Sequence, residues 1–225
     1  MGKKVIITGA SGMVGKGVLL ECLDHPSIDT VLVLGRTSTG IKHPKLMELL
    51  HTDFTDYTEV SEKLKGYDAC YFCLGVSAGG MKESDYRKIT YDYTLTLGKT
   101  LFELNPDIAF IYVSGQGTDS SEKGRMMWAR VKGKTENDLL ALGFKQAFMF
   151  RPGIILPLRG IKSKTPSYQF FYTYLGWLFK LVKVLSPYSV NDTTQIGLAM
   201  INATLHGFDK NVIGTKDINV LANDR

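Results

Sequence analysis

Three glycines stand between the first apolar run of the chain and the amphipathic run that follows it. Gly9 permits a tight turn, Gly12 lets the backbone approach a pyrophosphate, and Gly15 lets the next helix pack closely on the strand. The free amides and the positive dipole end of that helix would attract phosphates. This spacing predicts a dinucleotide-binding turn, with an ordinary packing turn as the alternative. The predicted contacts are Gly9, Ser11, Gly12, Met13, Val14 and Gly15.

The end of the second apolar run, Leu34-Gly35-Arg36-Thr37-Ser38, indicates which dinucleotide the turn would bind. An acidic residue here would hydrogen-bond the ribose diol of NAD, and this segment contains none. Arg36 can instead pair with a 2′-phosphate and stack on adenine, while Thr37 and Ser38 supply hydroxyl donors. The alternative for Arg36 is a solvated loop cation. We therefore predict NADP as the cofactor, with NAD less favoured.

Short apolar runs alternate with longer amphipathic runs over most of the chain. Strands are predicted over 4–8, 30–34, 46–52, 69–74, 108–113 and 146–150, and helices over 14–23, 55–64, 84–104, 124–142 and 191–206. Strands that alternate with helices in this way indicate a parallel sheet covered on both faces. The predicted fold class is α/β, a doubly wound parallel sheet of the Rossmann type with a small C-terminal helical cap.

The pattern changes after Gly153, which divides the chain close to residue 155. We expect residues 1–155 to form an NAD(P)-binding Rossmann core and residues 156–225 a small cap on the substrate side of the same domain. Residues 168–185 are apolar apart from one narrow stripe of polar or small residues. Three interpretations are open for this segment: a helix buried against the cap or a dimer partner, a wall for an apolar substrate, or a helix that docks on a membrane or a partner protein.

The glycine turn and three further segments together resemble one protein family. These segments are Thr52-Asp53-Phe54-Thr55, Cys73-Leu74-Gly75 and Arg151-Pro152-Gly153. Over residues 3–155 the chain resembles the short-chain dehydrogenase/reductase superfamily, and more closely its atypical, epimerase-like and NmrA-like branch, which includes the Tat-interacting oxidoreductase-like proteins. The resemblance implies the Rossmann fold and a set of cofactor contacts near the adenine, along the cofactor and near the nicotinamide. These contacts are Asp53, Phe54, Leu74, Gly75, Pro152 and Gly153.

The same family uses a Ser, a Tyr and a Lys, with the Tyr and the Lys four residues apart on one helix face. The resemblance implies that Ser114 orients the substrate carbonyl and that Lys132 binds the nicotinamide ribose. Four residues before Lys132 the chain has Trp128 in place of the Tyr, and an indole is neither an acid nor a base near neutral pH. Either family-type catalysis is lost, or the proton comes from solvent or another group. The alternative donors are Tyr93, Tyr112, Tyr168 and Lys134.

The composition restricts both the class of protein and its surroundings. Of 225 residues, 44% are hydrophobic and 22% charged, which excludes a disordered chain. The 27 basic residues outnumber the 22 acidic ones but are scattered, so we expect a small anionic ligand rather than nucleic acid. Three cysteines and the lack of a signal peptide favour a reducing cytosol. Cys70 and Cys73 have the spacing of a metal pair, but positions three apart on a strand face opposite sides and there is no second pair. The four histidines are scattered, so we predict a cytoplasmic protein without a metal.

These patterns predict an NADP-binding oxidoreductase or epimerase-like protein that passes hydride between the nicotinamide and a small carbonyl or alcohol. Ser114 and Lys132 would be its catalytic residues, with Trp128 in the usual Tyr position. The alternative is a non-catalytic NADP(H)-binding regulatory protein whose apolar segment binds a partner or a membrane. A nucleotide-sugar epimerase ranks third because the short tail leaves little room for a nucleotide-sugar lobe. The apolar segment also makes a homodimer an option.

Overall fold

The computed structural model describes residues 2–161 and 190–224, so the segment 168–185, with Tyr168, lies outside the described residues. The strands are β1 (Lys3–Thr8), β2 (Ile28–Gly35), β3 (Leu46–Leu50), β4 (Ala69–Phe72), β5 (Ala109–Val113), β6 (Gln146–Arg151), β7 (Ile154–Leu156), β8 (Val190–Asp192) and β9 (Val212–Gly214). The helices are α1 (Met13–Asp24), a 3-10 helix (Thr58–Leu64), α2 (Glu83–Arg87), a π-helical turn (Lys88–Asp92), α3 (Tyr93–Leu104), α4 (Met127–Ala141), α5 (Thr193–His206) and α6 (Thr215–Asn223).

Seven strands form one parallel sheet in the order β3-β2-β1-β4-β5-β6-β9, and β7 pairs with β8 separately. Thr8 at the end of β1 lies opposite Leu34 of β2 and Phe72 of β4, so these strands finish at the same edge. The strand order changes direction beside β1, which is where doubly wound sheets bind ligands. The predicted α/β class, a doubly wound Rossmann sheet, is confirmed.

The central strands are buried on both faces because helices cover each side of the sheet. Along β1, Val5 and Ile7 pack in the core that contains residues of α1, α5 and α6. Ile6, which points the opposite way, packs in a second core with residues of α3 and α4. This alternation fixes the register of the central strands and therefore the positions of their carboxyl ends.

The described end of the predicted cap is built into the Rossmann core. Val212–Gly214 adds the seventh strand beside β6, with Ile213 opposite Phe150. The helix expected over 191–206 is α5, which packs with α1 in the same core. Residues 190–224 thus supply one strand and two helices to the sheet and one of its covering layers.

Three predicted helices differ from the observed ones. The helix expected over 55–64 begins at Thr58 and is a 3-10 helix, because the amides of Thr55 and Thr58 donate hydrogen bonds to the Asp53 and Asp56 carboxylates instead. The helix expected over 84–104 is interrupted by the π-helical turn at 88–92. The helix expected from residue 124 begins at Met127, because the Gly124 amide donates a 2.6 Å hydrogen bond to Asp119 instead.

Candidate active site

The glycine-rich turn between β1 and α1 is a backbone cradle with no room for a side chain at Gly9 or Gly15. Gly9 has a φ of +69°, and a Cβ atom there would lie 2.5 Å from the carbonyl oxygen of Cys73. A Cβ atom on Gly15 would collide with the Gly9 carbonyl oxygen, which also accepts a 2.8 Å hydrogen bond from the Gly12 amide. The first amides of α1 have no intrahelical acceptor, and Gly12, which caps the helix, supplies no side-chain acceptor either. Such a cradle fits a phosphate, which needs amide donors and open space.

A cleft of about 930 Å³ opens at the carboxyl edge of the sheet. It brings together these residues predicted from the sequence: Met13, Val14, Leu74, Gly75, Ser114, Trp128, Lys132, Pro152 and Gly153. The predicted residues that do not line it are Gly9, Ser11, Gly12, Gly15, Arg36, Thr37, Asp53 and Phe54. The cleft therefore joins the start of α1 to both predicted catalytic residues.

The loop after β2 exposes Arg36 and Thr37 and is fixed by a carboxylate of β3. Glu48 accepts 2.6 Å hydrogen bonds from the Ser38 hydroxyl and from the Thr39 amide. These hydrogen bonds hold the pKa of Glu48 below its usual value, with the Ser38 bond the largest cause. The Ser38 hydroxyl thus donates its hydrogen bond to Glu48, whereas Arg36 is exposed.

The acidic turn after β3 presents Asp53 and buries Phe54. Asp53 is exposed and accepts hydrogen bonds of 2.5 and 2.9 Å from the hydroxyl and amide of Thr55, which lower its pKa. The Phe54 side chain is 4% exposed and packs against Tyr57 and Tyr93, with ring centroids 6.2 and 5.7 Å away. Asp53 is therefore available to a ligand, whereas Phe54 could contact one only through its backbone.

Ser114, at the end of β5, lines the cleft but directs its hydroxyl inward. Its side chain donates a hydrogen bond to Glu136 of α4, and its Oγ also lies 3.1 Å from the carbonyl oxygen of Phe150. Because a hydroxyl carries one proton, the charged Glu136 oxygen is the favoured acceptor. Ser114 can therefore accept a hydrogen bond from a ligand, but it must break its contact with Glu136 in order to donate one.

The Lys132 side chain extends from α4 to Ser114 at the end of β5. Its ammonium donates a hydrogen bond to the backbone carbonyl oxygen of Ser114. Burial lowers the pKa of Lys132 from 10.5 to about 8, against the opposing charge of Glu136 one turn along the helix. Lys132 is therefore a cation at neutral pH, and it loses its proton as the pH rises through about 8.

Trp128 lies one turn before Lys132, and both side chains line the cleft. The indole packs against the loop after β5, where a Cβ atom on Gly117 would lie 3.3 Å from ring atom Cη2. An indole offers one N–H donor and has no group that gains or loses a proton near neutral pH. Trp128 therefore contributes an apolar wall to the cleft and no proton.

A buried ion pair that was not predicted from the sequence lies beneath Ser114. Glu136 is 1% exposed, and its two carboxylate oxygens accept hydrogen bonds from the Nε and Nη2 atoms of Arg151, with the Nε distances at 3.0 and 3.1 Å. Arg151 also donates a 2.5 Å hydrogen bond to Ser120. The spacing of Glu136 four residues after Lys132 could have drawn attention to it, but the partner on β6 depends on the tertiary fold.

Of the proton donors suggested from the sequence, Tyr93, Tyr112 and Lys134 do not line the described cleft, and Tyr168 lies outside the described residues. Tyr112 is buried in the core that α3 and α4 cover, and Tyr93 packs beside Phe54. Lys134 forms a 3.0 Å ion pair with Asp138 away from the cleft. Two titratable residues that the sequence did not suggest as proton donors, Cys73 and Tyr86, do line the cleft. Burial raises the pKa of both, to about 12 for Cys73.

Two further properties concern the described part of the chain. Residues 2–161 and 190–224 contain no group of three or more His, Cys, Asp or Glu side chains placed to hold a metal ion. Within those same ranges, no helix has both the length and the apolar character required to cross a lipid bilayer.

Comparisons with known proteins agree with this geometry. The profile of the family described as "NAD dependent epimerase/dehydratase family" matches residues 5–120, slightly more than half of the chain. The "Protein fmp52, mitochondrial" of Emericella nidulans is 25% identical over 92% of this chain and 90% of that protein. The "Protein HTATIP2" of Rattus norvegicus is 28% identical over 68% of this chain and 63% of that protein.

Solved structures share the fold. A UDP-N-acetylglucosamine 4-epimerase from Methanobrevibacter ruminantium M1, in complex with UDP-N-acetylmuramic acid, has a TM-score of 0.69 at 17% identity, over 95% of this chain and 76% of that one. The Bordetella bronchiseptica enzyme WbmH, in complex with NAD+, has a TM-score of 0.68 at 15% identity, over 94% of this chain and 74% of that one.

The names of the fungal relatives correct one expectation. The cytoplasmic location predicted from the sequence is wrong on this comparison, because the relatives from Emericella, Meyerozyma and Debaryomyces are all named as mitochondrial proteins. Cysteine content could not have decided this point, since it reflects a reducing environment and not a particular compartment.

Proposed function

Because this chain belongs to the NAD dependent epimerase/dehydratase family, we propose that it is an NADP-dependent oxidoreductase acting on small carbonyl compounds or alcohols. The observation that carries the proposal is the continuity of the site. One cleft runs from the start of α1, beside the glycine cradle, to the Lys132 ammonium and the end of β5. Phosphates and a nicotinamide need these two features at opposite ends of one binding site.

Each residue of the site would have a role that follows from its position in the cleft. When bound, NADPH would supply hydride from its nicotinamide ring. The first amides of α1, including those of Met13 and Val14, would bind the phosphates. Lys132 would bind the nicotinamide ribose, while Trp128 would exclude water from one wall of the cleft. Ser114 would meet the substrate oxygen once its hydroxyl turned away from Glu136.

Membership of the family supports binding of a nicotinamide dinucleotide, either NAD or NADP. The proposed preference for NADP rests on the loop after β2. Arg36 is exposed there, and Glu48, the carboxylate that binds this loop, accepts its hydrogen bonds from Ser38 and Thr39. A guanidinium in solvent can form a bidentate pair with a 2′-phosphate. No acidic side chain of the segment 34–38 is present to accept hydrogen bonds from a ribose diol.

The walls of the cleft favour a neutral, apolar substrate. They include Val76, Ala78, Ile154 and Ile155, and Lys132 is the only charged side chain that lines the described cleft. In a substrate with a carbonyl group and apolar neighbours, the carbonyl oxygen would contact the Lys132 cation and the apolar atoms would contact the apolar wall. A nucleotide sugar would bring a diphosphate without a second cation to pair with it, so the epimerase function ranks lower.

The second candidate is a non-catalytic NADP(H)-binding regulatory protein. Two observations favour it: Trp128 occupies the position one turn before Lys132, and the Ser114 proton is directed at Glu136. In that case the cofactor would bind in the same cleft without turnover.

The sequence supports three separate proposals about partners. The ligand is a small molecule rather than a nucleic acid. Residues 168–185 bind a membrane or a protein partner. The chain forms a homodimer, which light scattering would test.

Calorimetric titration with NADPH and with NADH tests the proposal directly. We expect NADPH to bind more tightly than NADH, and Arg36→Ala to remove most of that difference. Lys99→Ala, which removes an exposed cation on α3, is the matched control and should change neither affinity. Failure of both dinucleotides to bind would contradict the proposal. Binding by both without turnover of any carbonyl would favour the regulatory protein.

A further inference from the structure

We infer that Lys132 itself donates the proton to the substrate oxygen in this site, an inference that rests on the oxidoreductase function proposed above. Three titratable side chains line the described cleft: Cys73, Tyr86 and Lys132. Lys132 is the one among them that carries a charge at neutral pH. Its ammonium has three protons, and the carbonyl oxygen of Ser114 takes one of them, so two others are available to a ligand.

The other two groups are poorer proton donors. Burial raises the pKa of Cys73 to about 12 and also raises that of Tyr86, which is 1% exposed. An acid transfers its proton most effectively when its pKa lies near the working pH. The lowered pKa of Lys132, about 8, meets that condition.

The surroundings of Lys132 explain why it gives up a proton readily. Glu136 follows it by one turn of α4, but Arg151 of β6 takes both oxygens of that carboxylate. None of the described ion pairs includes Lys132. The other groups around it are the Ser114 carbonyl of β5, the apolar indole of Trp128, and the protonated Cys73 and Tyr86 across the cleft. Burial therefore outweighs the partly neutralised Glu136 charge.

The reaction balances with Lys132 as the acid. The carbonyl carbon gains a C–H bond with the electron pair of the hydride, and the carbon–oxygen π bond breaks. The oxygen takes one proton from the Lys132 ammonium, so the product is an alcohol. The carbonyl is reduced while the dinucleotide is oxidised, and the neutral amine regains its proton from water.

This role fixes the sign of the pH dependence. Carbonyl reduction needs the ammonium form, so its rate should be high below the pKa of Lys132 and fall as the pH rises through about 8. Alcohol oxidation needs the neutral amine, so its rate should rise over the same range.

Lys132→Arg separates proton donation from cofactor binding. A guanidinium keeps the charge but does not release a proton near neutral pH. We expect NADPH affinity to change by no more than a few-fold. Reduction of 4-nitrobenzaldehyde or 2,3-hexanedione should fall by about a hundredfold or more, and the fall in rate near pH 8 should disappear. Lys134→Arg, on the outer side of the same helix, is the matched control and should leave rate and pH profile unchanged.

A measurement without cofactor completes the test. NMR titration of the lysine side chains in the cofactor-free protein, assigned with Lys132→Arg, should give Lys132 a pKa of about 8. A Lys132 that titrates with the surface lysines would overturn the inference. The inference would also be overturned if the Lys132→Arg protein kept the fall in rate near pH 8, or if the Tyr86→Phe protein lost it. A wild-type protein that binds no NADPH or reduces neither carbonyl would overturn the proposed function as well, which distinguishes the two failures.

Discussion

The carboxylate of Glu136 accepts a hydrogen bond from the Ser114 hydroxyl, so a buried charge orients the residue that would meet the substrate oxygen. The same carboxylate binds Arg151 through both of its oxygens. A buried ion pair between α4 and β6 therefore lies behind the cleft and holds Ser114, which lines it. This arrangement links the stability of the fold to the geometry of the site.

We predict that Glu136→Gln destabilises the protein. The substitution leaves the Arg151 guanidinium mostly buried without its counter-charge, which costs about 3 kcal/mol of the free energy of unfolding. Urea unfolding measures the loss. Asp107→Asn, which breaks the exposed pair with Lys145, should produce no measurable change. The same Glu136→Gln protein should show Lys132 with a lower pKa, because the Glu136 charge raises it. Unchanged stability would contradict the buried pair.

Fluorescence should report cofactor binding through Trp128. The indole lines the cleft, so a nicotinamide bound beside Lys132 would quench its emission. The chain has two tryptophans, Trp128 and Trp177, which makes the assignment simple. We expect Trp128→Phe to abolish most of the quenching by NADPH and Trp177→Phe to retain it. Retained quenching in Trp128→Phe would place the nicotinamide elsewhere.

Glu48→Gln should reduce the preference for NADPH over NADH. Glu48 holds the Arg36 loop through Ser38 and Thr39, and its loss would free that loop. We expect the preference to fall by up to about tenfold, equivalent to one hydrogen bond to a charged group of about 1.5 kcal/mol. Calorimetry with both dinucleotides measures it. Glu62→Gln, on the exposed 3-10 helix, is the control and should keep the wild-type preference. An unaltered preference in Glu48→Gln would show that the loop needs no such support.

Cys73 should be slow to alkylate despite its place in the cleft. Its pKa of about 12 leaves little thiolate at neutral pH, and Cys22 and Cys70 are buried. We expect iodoacetamide to label Cys73 appreciably only as the pH rises above 9, and NADPH to protect it. Mass spectrometry identifies the labelled residue, with Cys73→Ser as the control. Rapid labelling at pH 7, or labelling unaffected by NADPH, would contradict the described surroundings of this thiol.

The sheet and the glycine turn could be predicted because both depend on local sequence. Buried parallel strands such as β1 are continuous apolar runs, and the cradle needs glycine at fixed spacing. Ser114, Trp128 and Lys132 could be placed for the same reason, since strand ends and helix spacing determine where they lie. The resemblance to a known family supplied their roles.

The remaining features depend on contacts between distant elements. Arg151 reaches Glu136 only after β6 and α4 have packed together, and β9 is too short for its three residues to indicate a strand. The π-helical turn at 88–92 shifts the phase of the helix between Tyr86 and the core residues of α3, so helical periodicity could not place Tyr86 at the cleft. Thus the side chains that tune the site were the hardest to predict.

The most direct test of the nucleotide site compares NADPH binding by Gly9→Ala and Gly66→Ala. Both glycines have a positive φ, +69° and +77°, so both substitutions strain the backbone alike. A Cβ atom on Gly9 would meet Cys73 and deform the cradle, whereas one on Gly66 would meet nothing within 4 Å. We predict that calorimetry shows NADPH binding by the wild type and Gly66→Ala and its loss in Gly9→Ala. Wild-type affinity in Gly9→Ala, or no binding by the wild type, would contradict a nucleotide site in this cleft.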